Sequence, residues 1–151
     1  MDKLARKKTI LEAARRKSQG LVEDLRKTTQ QLLESANQAA TDEENRAESL
    51  QEEMMEAYSE TSRTLEEAMH QREILEKVNS NILHNLVAFG AVVITDTEQF
   101  LVAASLGTFA DREHQYVGLS IQSPLYGAMQ GKKQGEQFSF RTQQYRIVDL
   151  F

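Results

Sequence analysis

No cysteine occurs in the chain, which excludes disulfides, thiolate nucleophiles and cysteine-based metal sites. Tryptophan is absent too, and the single proline stands at position 124, so nothing before it forces a helix to stop. No apolar run approaches the roughly 20 residues needed to cross a membrane. The opening stretch MDKLARKKTILEAARRK is basic but lacks the apolar core of a signal peptide. These absences lead us to expect a cytoplasmic protein with no membrane partner. Histidine is equally sparse. His70, His84 and His114 share no ligand spacing, so no histidine metal site is expected.

Charge is abundant and unevenly spread. Residues 1–27 carry nine Lys/Arg against four Asp/Glu, whereas residues 34–76 carry three against thirteen. A basic segment followed by an acidic one favours antiparallel pairing of the two. Residues 3–84 are also rich in Leu, Ala, Glu, Gln, Lys and Arg, all good helix formers. Leu4, Leu11, Leu25 and Leu32 fall on one seven-residue register with Ser18 as its polar gap, and Ala14 and Leu21 follow three residues after two of these positions. A second stripe comprises Ala47, Met54, Thr61, Ala68, Leu75 and Ile82, with Leu50, Tyr58, Leu65 and Val78 beside it. Both stripes are narrow, so each helix needs a partner. Either one long helix, pairing as a coiled-coil homodimer, or two antiparallel helices would satisfy the pattern.

For two helices the break falls near ANQAATDEEN. Asn37 can end the first, Thr41 or Asp42 can cap the second, and Thr41 with Glu44 matches a capping box. Asp42, Glu43 and Glu44 then occupy a first turn, where the helix dipole favours carboxylates. A hairpin over residues 1–84 has its midpoint near residue 43, at the end of arms about 60 Å long. The acids would stand at its tip, within 39–46. One acid or hydroxyl suffices as a cap, so three exceed a structural need. Adjacent carboxylates supply the oxygen ligands that Mg²⁺ prefers, and two or three alone would bind it weakly. Such a tip works better by completing a metal site supplied by another macromolecule.

From residue 85 the period becomes two. FGAVVITD, QFLVAASLG and EHQYVGLSI read as strands, SPLYGAMQG as a short helix capped by Ser123 with Pro124 in its first turn and Gly131 after its end, and EQFSFR and QYRIVDLF as two closing strands. The expected order is β-β-β-α-β-β, an α+β domain over 85–151 that follows the antiparallel coiled-coil hairpin. GKKQGE lacks the spacing of a phosphate loop and reads as the turn after the short helix.

The stretch SIQSPLYGAMQGKKQGEQFSF resembles the C-terminal domain of the Gre family, the bacterial transcript cleavage factors. Ser123, Pro124, Leu125, Ala128, Gly131, Lys132, Gly135 and Glu136 carry the pattern, and the closing YRIVDLF is similar as well. The resemblance implies that the small antiparallel sheet domain with one short helix is FKBP-like and docks on RNA polymerase through Ser123 and Pro124. The hairpin would enter the polymerase secondary channel, where Asp42, Glu43 and Glu44 would assist catalysis, with Asp42 and Glu44 as weak ligands to an Mg²⁺ shared with the polymerase. By this reading the protein is not itself an enzyme, has no cofactor of its own, meets nascent RNA only indirectly and acts as a monomer. A channel-occupying regulator without cleavage, or a coiled-coil interaction protein, are the alternatives. The FKBP likeness also raises prolyl isomerisation, but there is no Trp to line a proline pocket, and fold alone does not imply function.

Overall fold

The computed structural model describes residues 2–40 and 45–151, the side chains of 39–40 and 45–47 excepted. Two long helices, α1 (Lys3–Ala40) and α2 (Asn45–Glu76), form a hairpin and precede a sheet with one short helix. The elements divide into two compact units, Met1–Ser18 with Gln71–Phe151, and Gln19–His70.

In the unit Gln19–His70 the two helices share a narrow seam. On α1 the covered positions include Val22, Leu25, Thr29, Leu32 and Ala36, and on α2 they include Met54, Tyr58, Thr61, Leu65 and Ala68. Both sets alternate steps of four and three, the spacing that keeps a stripe on one face. Leu21, expected on the stripe, is instead exposed. Val22 follows Ser18 by four and precedes Leu25 by three, so it takes the seam and turns Leu21 aside by about 100°. Leu50 is exposed as well, as is Ile82 in the other unit. Thr29 and Thr61 sit in the seam with their hydroxyls donated to the carbonyls of Leu25 (2.7 Å) and Ala57 (2.8 Å). Asn37 does not end α1, which continues to Ala40.

The other unit carries the large core. Its six strands are β1 (Val92–Thr95), β2 (Gln99–Ala103), β3 (Gly107–Asp111), β4 (His114–Ser120), β5 (Gln137–Phe140) and β6 (Gln143–Leu150), and α3 (Pro124–Met129) lies between β4 and β5. The spatial order is β3-β4-β2-β1-β6-β5. All neighbours are antiparallel except β2 and β4, which run parallel. The observed order has one strand more than expected. The added strand is GTFAD, which the expected order leaves unassigned: β3 begins on Gly107, at φ 67, and pairs with β4 from Gly107↔Gly118 to Asp111↔His114.

Alternation along the strands sends side chains to two clusters. Leu101 and Ala103 join Ile10, Leu11 and Ala14 of α1, Leu75 of α2 and the terminal Phe151. Phe100 and Val102 face the other way, with Tyr126 and Met129 of α3 and Phe138 and Tyr145 of the last hairpin. Phe138 stacks on Tyr145 at 4.9 Å between centroids, and Phe109 on Tyr116 at 5.7 Å. Phe151 is locked by paired backbone bonds to Val92 (2.7 and 3.1 Å), with the Arg6 guanidinium 5.3 Å over its ring.

The helical stretch expected to reach residue 84 stops at Glu76. Its last turn tightens, with Lys77 and Val78 N–H donating to the carbonyls of Ile74 and Leu75, and Asn79 then accepts from the Asn81 N–H at 2.9 Å. Asn and Ser in VNSN compete for backbone bonds and weaken helix continuation. Residues 77–91 follow as irregular chain up to β1.

Candidate partner-binding site

The motif residues of the C-terminal half converge on α3 and its two flanking loops. Ser123 has extended backbone (φ −67°, ψ 138°), and its hydroxyl accepts the Leu125 N–H at 3.3 Å, while its carbonyl accepts the Gly127 N–H at 3.2 Å. Pro124 needs no partner for its nitrogen and fits the first turn. Tyr126 and Met129 anchor the helix in the core. The alternate face is left to solvent: Ile121, Pro124 and Gly127 are exposed. Ser123 is thus half-buried with its hydroxyl engaged in the cap, and Pro124 beside it is exposed.

The loop after α3 is a built turn, as its sequence implies. Gly131 (φ 75) and Gly135 (φ 89) take left-handed backbone, where a side chain would be strained. Gly131 N–H donates to the Val87 carbonyl and Val87 N–H to the Lys132 carbonyl, both at 2.9 Å. Glu136 closes the turn by accepting the Lys133 N–H at 3.2 Å. The spacing Gly-Lys-x-x-Gly-Glu is therefore explained by a loop that must turn twice and dock on residue 87.

Asp42, Glu43 and Glu44, together with the proposed Thr41 cap, lie outside the described residues. The three histidines are not brought together into a metal cluster: no group of three or more His, Asp or Glu with that geometry occurs among the described residues. His84 has its pKa held below the usual imidazole value by burial and, second, by the charge of Lys7. Lys7 is a residue sequence reasoning passed over. It is fully buried, its ammonium donates to the Ile82 carbonyl at 2.5 Å, and burial lowers its pKa to about 8. A lysine in a basic run looks solvated; only its position opposite residues 77–91 tells otherwise. No helix among the described residues is long and apolar enough to cross a membrane.

No family model matches the chain, and no curated protein does. Among solved structures, the chain is similar to one described as the transcription factor Gfh1, at 15% identity and a TM-score of 0.38, covering 91% of this chain and 93% of that one. It is likewise similar to the GreA factor homolog 1 (Gfh1) protein of Thermus thermophilus, at 14% identity and a TM-score of 0.36, covering 92% and 95%. Superpositions this loose describe a likeness and do not transfer residue roles.

Proposed function

We propose that this protein is a Gre-like transcription factor that binds RNA polymerase, inserts its helical hairpin into the secondary channel and stimulates cleavage of backtracked transcripts. The observation that carries the reading is the Ser123–Glu136 stretch, in which the residues of the Gre-like motif form one capped helix and one double-glycine turn, leaving Pro124 exposed. The order of elements, a helical hairpin followed by a small sheet with this helix, supports it.

In this reading the polymerase performs the chemistry. Asp42, Glu43 and Glu44 contribute oxygen ligands, a donor set that suits Mg²⁺, in the active site of the partner. Pro124 and its neighbours hold the chain on the polymerase. Binding fixes the hairpin, and positioning is what the factor adds.

A second reading keeps the docking and drops the cleavage. It is favoured by the composition of the tip. The Gre pattern has an Asp, two spacers and then Glu-Asn-Ala-Glu, whereas here Thr41 stands three residues before Glu44, and Arg46 follows Asn45. A displacement of one or two residues at a metal site can abolish activity.

The test is transcript cleavage by backtracked RNA polymerase from the same source, with the wild type and with Asp42→Ala/Glu43→Ala/Glu44→Ala. Acceleration by the wild type and none by a triple variant that still binds supports the cleavage reading. Binding without acceleration by either protein selects the channel regulator. Absence of binding by both overturns the reading.

A further inference from the structure

From Lys77 to Thr95 the chain carries no acidic residue, in a protein whose net charge is −5. This stretch begins with the irregular segment 77–91, which lies as a strap between two basic elements. On one side Lys7 of α1 donates to the Ile82 carbonyl, and Arg15 donates to the Val78 carbonyl at 3.3 Å. On the other side Val87 exchanges backbone bonds with Gly131 and Lys132. The strap buries Val78 and Val87 as its anchors. Between them it turns Ile82 (49% exposed), Leu83 (46%) and Leu86 (40%) outward.

Leu4 of α1, 37% exposed, extends this apolar surface. Together with Ala5 and Leu83 it lines an open cavity of about 460 Å³, rimmed by Asp2, Lys3 and Lys8. The carboxylate at the rim is engaged, because Asp2 caps α1 by accepting the Ala5 N–H at 2.7 Å. Lys3 is bridged to Asp149 at 2.9 Å. Lys8 and, beside the strap's far end, Lys133 are exposed. The surface is therefore aliphatic in the middle with an exposed lysine at each end, Lys8 near the capping Asp2 and Lys133 near Glu136. Four large aliphatic side chains left so open on adjoining segments mark an interaction surface rather than scattered exposure.

We infer that this strap, with the first turns of α1, docks an amphipathic segment of a protein partner that presents aliphatic side chains beside carboxylates. Charge complementarity selects the carboxylates, and the cavity between Leu4 and Leu83 accepts an inserted side chain. A single-stranded nucleic acid would need exposed aromatic rings to stack its bases, and the surface offers none. The inference rests on the polymerase-binding reading, and the partner segment is assigned to the polymerase.

Equilibrium binding of labelled full-length chain to purified RNA polymerase, at low and high salt, tests it. The wild type is compared with Leu83→Glu/Leu86→Glu and with the charge reversal Lys8→Glu/Lys133→Glu. All four positions are exposed, and thermal unfolding confirms that each variant is folded. We expect the first variant to bind about tenfold more weakly or worse, and the second to lose severalfold together with much of its salt dependence. If the wild type binds and both folded variants bind equally well, the surface is not the dock and the polymerase reading stands. If the wild type does not bind, that reading falls and this one with it. Binding of the wild type to phosphatidylserine vesicles, lost in the same variants while polymerase binding persists, would make the surface a lipid site and overturn the proposal.

Discussion

The helical unit Gln19–His70 and the sheet unit spend their residues differently. Among the described residues of the helical unit only Val22, Ala36 and Ala68 are buried, two of them alanines. The sheet unit buries Phe100, Tyr116, Phe151, Ile10, Leu11, Leu75 and Leu101 to within 1% of complete exclusion. The first holds its geometry by helix propensity and a half-covered seam, the second by dense packing. A seam that removes little area from water opens at low cost, whereas a packed core opens only with the whole unit. Hydrogen exchange should accordingly be fast across 19–40 and 45–70 and slow across β1, β2 and β6.

The largest break in this contrast comes from matched truncations. Leu75→Ala should cost about 2–5 kcal/mol in chemical denaturation followed by tyrosine fluorescence, because the cavity is fully enclosed. Leu65→Ala in the half-buried seam should cost about 1 kcal/mol. Equal costs at the two positions would erase the distinction.

Gly118→Ala comes next. A Cβ there would stand 2.6 Å from that of Leu106 and 2.8 Å from the Ala104 carbonyl oxygen. Backbone cannot yield as a side-chain tip can, so a loss of about 1–3 kcal/mol is expected. Gly20, on α1 in the helical unit, has open space around it, and Gly20→Ala should instead stabilise by up to about 1 kcal/mol. Opposite signs in thermal melts would sharpen the comparison; the same sign would contradict it.

Lys7 gives the sheet unit a pH signature. Burial lowers its pKa from 10.5 to about 8, so the folded state holds this proton less tightly than the unfolded chain does. The Lys7 contribution is then most favourable above the unfolded value and is lost as pH falls through about 8. The melting temperature of the wild type relative to Lys7→Met should climb between pH about 8 and about 10. A flat difference over that interval would refute the assignment.

The smallest expected effect is at Arg112, which holds φ 57 at the β3–β4 turn. Arg112→Gly should relieve a left-handed backbone and stabilise by about 0.5–1 kcal/mol in the same melts. A loss instead would mean that the side chain makes a contact worth more than the strain.

Much of this architecture was legible in advance. The helical stripes, the capped SPLYGAM helix and the strands β1, β2, β4, β5 and β6 follow from period and turn chemistry. What escaped has particular causes. Leu21 and Val22 are adjacent aliphatics, and propensity cannot tell which one faces a partner. GTFAD carries a glycine and an aspartate that mark turns, yet the free edge of β4 recruited it as a strand. Lys7 and Leu4 belong to one basic helical run, and no local pattern says that the lysine is buried while the leucine is open.

The candidate site divides along the same line. Ser123, Pro124, Gly131 and Gly135 are read from sequence because caps, prolines and left-handed glycines act within a few residues. That Pro124 faces solvent, that residue 87 anchors the following loop, and that Ile82, Leu83 and Leu86 stand open between two basic elements depend on segments distant in the chain. By itself, the sequence determined where helices and strands form, how charge is distributed and which turns need glycine, since these rest on local conformational preference and hydrophobic period. Only the tertiary structure decided which apolar side chains are spent on the core and which remain for a partner, because burial depends on contacts between segments that the sequence holds far apart.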